Sequence, residues 1–573
     1  NESRNQLYYS PRASERARQR DREEESEMAP MADAEAPFLD LADADDHAPL
    51  AGVSDFRGRP VRRASSGGWR SALFVVVVEI AGSFAFFGVS ANLITYLTGP
   101  LGHSNAAAAA AVNAWSGTAS LMPLLGAFVA DSCLGRYRSI ILACTLYVLG
   151  YGMITLASTL SVQHSSPASD IDSPLGPSSL HVAFFYASLY LIAIAQGADK
   201  PCGLAFAADQ FDPDHPKERA SRSSLFNWWF FSMAVGISVA VAVVSYVQEN
   251  VGWGSGFGML CVIMLCTFAI FLVGTPTYRL YAPNPGAESP FSRLARSLSA
   301  LARSSNFATR YHRGGEEDED AAAKSEEARG VLRLVPIWAA CLAYGVVYAQ
   351  VMTLFNKQGR TLDRRVFGGL ELPPAALQTL GPVSILLFVP IYDRVLVPTL
   401  RCVTGSPSGL TLLQRVGTGM AVSLAAVSVA ALVEARRLET AREHGLVDNP
   451  GATVPMSWAW LVPQYAMMGV ADVFAMVGMQ EFFYDQMPGE LRSLGLALYL
   501  SVTGIGGFIS SALISFIDRV TSSGGGDSWF ADNLNRAHLD YFYWLLASIS
   551  AAELVLYLWF ARSYAYNNRK RII

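Results

Sequence analysis

The chain has 573 residues, of which 51% are hydrophobic and only 16% charged; its formal net charge is −5 and its mean hydropathy +0.27. Globular domains carry about 25% charged residues, so much of this chain has no water-facing surface, which excludes a disordered chain, a collagen-like repeat and a soluble multidomain enzyme. No basic stretch interleaved with aromatics is present, so no nucleic-acid partner is expected. The seven cysteines lie in or beside apolar stretches without a CxxC pair, so neither a zinc site nor any other cofactor is expected.

In chain order, residues 1–70 read as a disordered cytoplasmic tail. Arg12 to Glu27 are mostly charged and have no apolar core, unlike a cleaved signal peptide. Apolar runs then follow at roughly 72–98, 106–130, 138–160, 181–207, 225–247 and 256–274. After residues 275–330 come further runs at roughly 331–355, 375–392, 411–434, 457–484, 494–518 and 540–562, and a cytoplasmic tail at 563–573. About 20 apolar residues cross the hydrocarbon core as a helix, and strict alternation, the mark of a barrel strand, is missing. The expectation is an all-α membrane protein with twelve transmembrane helices in two six-helix halves, 71–274 and 331–562. Segment 275–330 reads as a cytoplasmic linker, with Leu294, Leu298 and Leu301 at helical spacing between arginines, either an amphipathic surface helix or a solvated link.

Lys and Arg in the 2–3 and 4–5 loops (Arg136, Arg138; Lys217, Arg219, Arg222) place these loops, the linker and both termini on the cytoplasmic side. Lys357, Arg360, Arg364 and Arg365 break this pattern after the seventh run. GAFVADSCLGRYR and PIYDRVLVP form a weak internal repeat, pairing Asp131 with Arg136 and Asp393 with Arg394 at corresponding turns. Gly135 permits the first of these bends, and the group reads as a gate.

Local strings add specificity. GTASLMPLLGAFVADSCLGRYR resembles the loop motif of the major facilitator superfamily. AQGADKPCGLAFAADQFDP, SSLFNWWFFSMAVG, QENVGWGSGFG, LRLVPIWAACLAYGVVYAQ, VPIYDRVLVP and QEFFYDQMPGELRSLG are similar, in order, to the plant nitrate transporter 1/peptide transporter family, part of the proton-dependent oligopeptide transporters. The resemblance implies a major facilitator superfamily fold, alternating access and a small-molecule substrate: nitrate, peptide, sugar, hormone or other metabolite. Protons are the implied co-substrate and the lipid bilayer the surroundings. It leaves the oligomeric state open, and it leaves plasma membrane and vacuolar membrane as alternatives.

A charge at a helix centre costs roughly 2.5–3.5 kcal/mol on insertion scales, so each one needs a partner or a task. The family's ExxER motif reads EIAGS here: Glu79 holds the first acidic position, while Gly82 and Ser83 stand where the second acid and the cation belong. By resemblance, Lys200 in GADKPCG pairs with Glu79 and contacts substrate. Glu481 in QEFFYDQ is the cavity-facing acid of the second half, and Tyr344 and Tyr348 belong to the substrate site. Tyr348 replaces a nitrate-pairing histidine, which weakens a nitrate reading. Asp472, nine residues before Glu481, falls on the opposite helix face and reads as a structural hydrogen-bond partner. Trp115, Asn227, Trp228 and Trp229 read as cavity lining or plain packing.

The resulting expectation is a secondary transporter of a small polar solute, with proton coupling weakened because only Glu79 and Lys200 remain of the motif. A full proton symporter and a nutrient sensor that no longer transports are the alternatives. No enzymatic motif appears.

Overall fold

The computed structural model describes residues 49–130, 134–164, 179–212, 215–281, 290–306, 316–366, 371–404, 410–487, 492–523 and 527–564. In lipid every backbone polar group must be satisfied within its own segment, and the apolar runs are accordingly helices. The first half consists of α1 (Gly68–Ser90), α2 (Asn105–Val129), α3 (Arg136–His164), α4 (Ser179–Ala208), α5 (Pro216–Asn250) and α6 (Trp253–Gly274). A short helix, Leu93–Thr98, prolongs α1. Ser104 caps α2 by accepting from the Ala107 N–H at 3.2 Å. Between α2 and α3, Gly135 has φ +74°, a left-handed conformation that glycine adopts without strain.

Two helices lie between the halves, α7 (Pro290–Asn306) and α8 (Glu316–Leu332). They pack on one another, with Arg293 Nη2 donating to Glu327 Oε1 at 2.7 Å and Ser297 Oγ to Glu327 Oε2 at 3.2 Å. Leu294 of α7 packs against the apolar cluster of the second half. The seventh apolar run is broken: Val335–Ala339 is followed by α9 (Leu342–Tyr348), with a bend of 44° across the break. Glu553 accepts the Ala343 N–H at 2.7 Å, satisfying a backbone donor at that break. The helix Leu354–Arg360 follows. Then come α10 (Leu380–Ile391), α11 (Leu412–Glu443), α12 (Val462–Gln486), α13 (Arg492–Ser522) and α14 (Leu539–Ser563). Among the described residues, ten helical segments are long and apolar enough to span a membrane, and the bent pair makes eleven. The 25-residue α2, with Pro123 inside, takes the second place in chain order.

A small sheet sits at the linker end of the first half, and two of its strands come from within residues 49–62, which were expected to belong to a disordered tail. β1 (Pro49–Ser54) pairs antiparallel with β2 (Pro60–Arg62) and with β3 (Leu280–Tyr281), which follows α6. Buried Arg279 bridges this sheet to the start of α5, donating to Glu218 Oε2 at 2.7 Å, while Arg63 pairs with Asp212 at 2.6 Å. No sequence pattern had singled out this network.

The two halves meet where small residues let backbones approach. A Cβ at Gly117 of α2 would lie 2.7 Å from the Gly504 carbonyl oxygen of α13. Hydrogen bonds across the halves gather at the end opposite the linker. Asn356 Nδ2 and Gln378 Nε2 both donate to the Ala91 carbonyl at 2.8 Å. The Asn105 N–H donates to Asp532 at 2.9 Å, Asn113 to Ser510 at 2.9 Å, and Lys357 Nζ to Thr98 at 2.5 Å. Two of the basic residues that disturbed the charge pattern are thus tied into protein: Lys357 is buried against Thr98, and Arg364 pairs with Glu371 at 2.7 Å.

Candidate functional site

The centre of α1 carries Glu79, with its side chain 5% exposed. A lone carboxylate there would be costly. Lys200 of α4 answers it: Nζ donates to Glu79 Oε1 and, at 3.0 Å, to Ser83 Oγ. Ser83 Oγ in turn donates to Glu79 Oε1 at 3.1 Å. Glu79 and Ser83 are four residues apart on one face of α1, which is why a single lysine reaches both. The Lys200 side chain remains 25% exposed, so the pair is buried on the acid side and open on the lysine side. Trp229 of α5 closes the cluster, since a Cβ at Gly203 would meet its ring at 3.4 Å and Glu79 Oε2 at 3.6 Å.

The expectation that Glu79 and Lys200 stand alone in this cluster needs correction. Asp199, beside Lys200 in sequence, is 1% exposed and turns toward α1. A Cβ at Gly82 would lie 3.2 Å from Asp199 Oδ2 and 4.0 Å from the Tyr147 ring of α3. Asp199 Oδ2 and the Tyr147 hydroxyl neighbour one another without meeting full hydrogen-bond geometry, and neither has another partner among the described residues. The cluster therefore holds two carboxylates and one ammonium. The sequence does contain the signal, an Asp in the apolar fourth run directly before the lysine.

In the second half, the Tyr344 hydroxyl of α9 donates to Asp472 Oδ1 of α12. Tyr344 and Tyr348 stack at 6.5 Å between centroids. Gln350 donates to Ser510 at 2.8 Å. Glu481 lies elsewhere: its side chain is 49% exposed and accepts from Arg415 Nη1 of α11 at 3.3 Å, while the Arg415 guanidinium covers the Tyr392 ring at 5.0 Å. Arg415 had not been anticipated. The structure thus joins Asp472, rather than Glu481, to the two tyrosines.

Contrasting effects are expected from these acids. Glu481→Gln keeps volume and an acceptor for the largely buried Arg415, and Glu481 itself is half exposed, so it should change solute affinity or coupling at a stability cost of about 1 kcal/mol. Asp472→Asn retains an acceptor for Tyr344 and should transport with a milder defect. Parallel uptake and thermal-stability measurements check this; a tolerant Glu481 with a sensitive Asp472 would put the solute on the tyrosine face.

Of the gate residues, Arg136 is exposed and pairs with Asp209 at the end of α4, at 2.5 Å. Its expected partner Asp131 lies outside the described residues. Arg394 is exposed, on the π-helical turn Tyr392–Leu396, where the side chain of Asp393 also lies outside the described residues. Trp115 is fully buried and donates to the Leu189 carbonyl at 2.8 Å, stacking on Phe86 at 5.0 Å, so it packs α2 against α4 and α1. Trp229 is buried and Trp228 exposed, while the Asn227 side chain is again outside the described residues.

A bundle of apolar helices in two halves, clasped at one end and holding charged clusters inside, is the architecture of a membrane transporter. Residues 137–530 match the PTR2 model of the POT family, well over half of the chain. The chain belongs to this family and is a membrane transporter of the NRT1/PTR and POT group. It is 50% identical over 539 residues to Arabidopsis thaliana NRT1/PTR FAMILY 5.10, covering 90% of this chain and 96% of the relative. Against NRT1/PTR FAMILY 5.13 of the same plant it is 49% identical over 543 residues, covering 89% and 96%. Among solved structures, the in meso crystal structure of the POT family transporter PepTSo superposes with a TM-score of 0.68 at 20% identity, over 87% of this chain and 99% of that one. A POT family transporter in complex with 5-aminolevulinic acid gives 0.62 at 14% identity, over 87% and 98%. At such identities these structures establish the shared fold.

Proposed function

We propose that this protein is a secondary transporter that moves a small polar solute by alternating access, with Lys200 as the solute-facing cation and Glu79 as its resident counter-ion. The observation that carries the reading is the asymmetry of that pair. The acid is sequestered, whereas the lysine, held by Glu79 and Ser83, stays partly open at membrane depth. Exposing a fully enclosed pair to a solute would require rearranging the packing around it, whereas a cation that is already partly open can exchange its partner for a carboxylate or other acceptor on a solute. The bonds that clasp the halves opposite the linker fit a state closed at that end.

Tyr344 and Tyr348 supply hydroxyl and ring surface for a polar solute, and Glu481 a second charge. Asp131, Gly135, Arg136, Asp393 and Arg394 form the gate at the linker end, with Arg136 paired to Asp209 in the present state. Both termini and the linker face the cytoplasm, in a plasma or vacuolar membrane. The solute classes in view are nitrate, peptides, sugars, hormones and other metabolites. Weak proton coupling was expected from a two-member cluster; with Asp199 as third member that ground is gone, and full proton symport becomes the favoured coupling mode. The test is a panel of labelled solutes offered to oocytes expressing the chain, scored for binding and for flux. A carrier accumulates at least one solute, whereas binding without flux would make the protein a sensor.

A further inference from the structure

Asp199 is a buried carboxylate in an apolar helix, and the ion pair beside it accounts for only one of the two acids present. Lys200 is engaged by Glu79 and Ser83. Asp199 Oδ2 makes no full hydrogen bond among the described residues and faces Gly82, whose missing side chain leaves it room. The groups facing Asp199 are Glu79 of α1, Lys200 of its own helix, and Tyr147 and Cys144 of α3. None of these besides Lys200 brings a positive charge. With both acids ionised the cluster carries one net negative charge away from water, which is unfavourable; with one proton it is neutral.

We propose that Asp199 is the proton-binding residue of this transporter, taking across the α1–α4 contact the place that a second acid at Gly82 would fill. The proposal deepens the carrier reading above and rests on it for its role in transport. A proton from the aqueous phase adds to the Asp199 carboxylate, giving a neutral carboxylic acid able to donate to the Tyr147 hydroxyl or to Glu79. Lys200 then remains with Glu79 as a pair of zero net charge, and the halves can close over a neutral cluster. When the site opens to the other side the proton returns to water and Asp199 again competes for Lys200, loosening its hold on Glu79. No bond other than O–H forms or breaks.

Gly82 makes the idea testable by relocation. In Asp199→Asn the cluster loses its second acid; in Gly82→Glu combined with Asp199→Asn an acid returns from the other helix into the same space. The readout is the carbonyl stretch of protonated carboxyls in pH-difference infrared spectra of the full chain in liposomes, recorded without any solute. Wild type should show a carboxyl component that disappears on alkalinisation. Asp199→Asn should lack it, and both Asp199→Glu and the relocated double variant should regain it. An unchanged spectrum for Asp199→Asn overturns the proposal. If Asp199→Asn does not fold, the double variant decides: a folded protein without the component overturns it, and one with it supports it. Because no solute is present, a failed flux measurement sinks the carrier reading while leaving this result standing, and the reverse also holds.

Discussion

Lys200→Ala should reduce solute uptake at least tenfold, equivalent to about 1.4 kcal/mol of lost transition-state stabilisation, at equal abundance in the membrane. Two effects combine. The substitution removes the partly exposed ammonium, and it leaves Glu79 and Asp199 as two buried acids with no cation in contact among the described residues. Breaking a buried pair by deleting one partner costs about 3–5 kcal/mol unless the remaining charge is neutralised. Here neutralisation is available, because both carboxylates can take up protons. The protein should therefore remain inserted and folded while losing function, and its residual activity should shift toward acidic pH. Lys200→Arg keeps the charge but brings a planar fork where Glu79 and Ser83 converge on a point donor, so it should restore the counter-charge, and with it the normal pH dependence, more than the transport rate. Uptake equal to wild type in Lys200→Ala at matched surface abundance would remove Lys200 from the site.

The largest stability effect is expected outside this cluster, at Arg437. Arg437 and Glu434 of α11 are both fully buried, joined at 2.6 and 2.9 Å. The guanidinium also donates to Asn535 Oδ1 at 2.8 Å and to the Leu534 carbonyl at 2.7 Å, tying α11 to the segment before α14. Asn535 continues the network to the carbonyl of Leu446 at 2.9 Å. Arg437→Ala leaves Glu434 with no counter-charge and leaves two acceptors unsatisfied, at a cost of about 3–5 kcal/mol. The expected result is a large drop in melting temperature and in yield of monodisperse protein. Replacing both members, Glu434→Leu with Arg437→Met, should be markedly milder, because no uncompensated charge remains. Similar losses for the single and double variants would show that packing volume, not charge, governs the position.

Much of this architecture is legible from composition, because lipid leaves an apolar run few choices besides helix. The pairing of Glu79 with Lys200 was implied by the family resemblance, and their direct contact bears it out. What escaped depends on which faces of different helices meet. Asp199 was visible as a letter, but only the approach of α4 to Gly82 shows that it enters the Glu79 cluster. The choice between Asp472 and Glu481 turned on helix rotation: their separation of nine residues correctly implies different neighbours, Tyr344 for one and Arg415 for the other, but not which neighbour is which. Buried Lys357 and the Arg364–Glu371 pair are charges held by protein groups, which a count of basic residues loop by loop does not register.

The Gly82 contact also changes how the truncated motif should be repaired. Gly82→Glu with Ser83→Arg would set a third carboxylate against Asp199 and remove the hydroxyl that holds Lys200, so on its own it should disturb the cluster rather than steepen its pH response.

The most direct measurement is accumulation of a transported solute in proteoliposomes under an imposed proton gradient, comparing wild type, Asp199→Asn and Lys200→Ala. Wild type should concentrate the solute above its external level while the gradient lasts. Asp199→Asn should only bring it to equal concentrations on both sides, and Lys200→Ala should barely move it. Accumulation by Asp199→Asn equal to that of wild type would contradict the account.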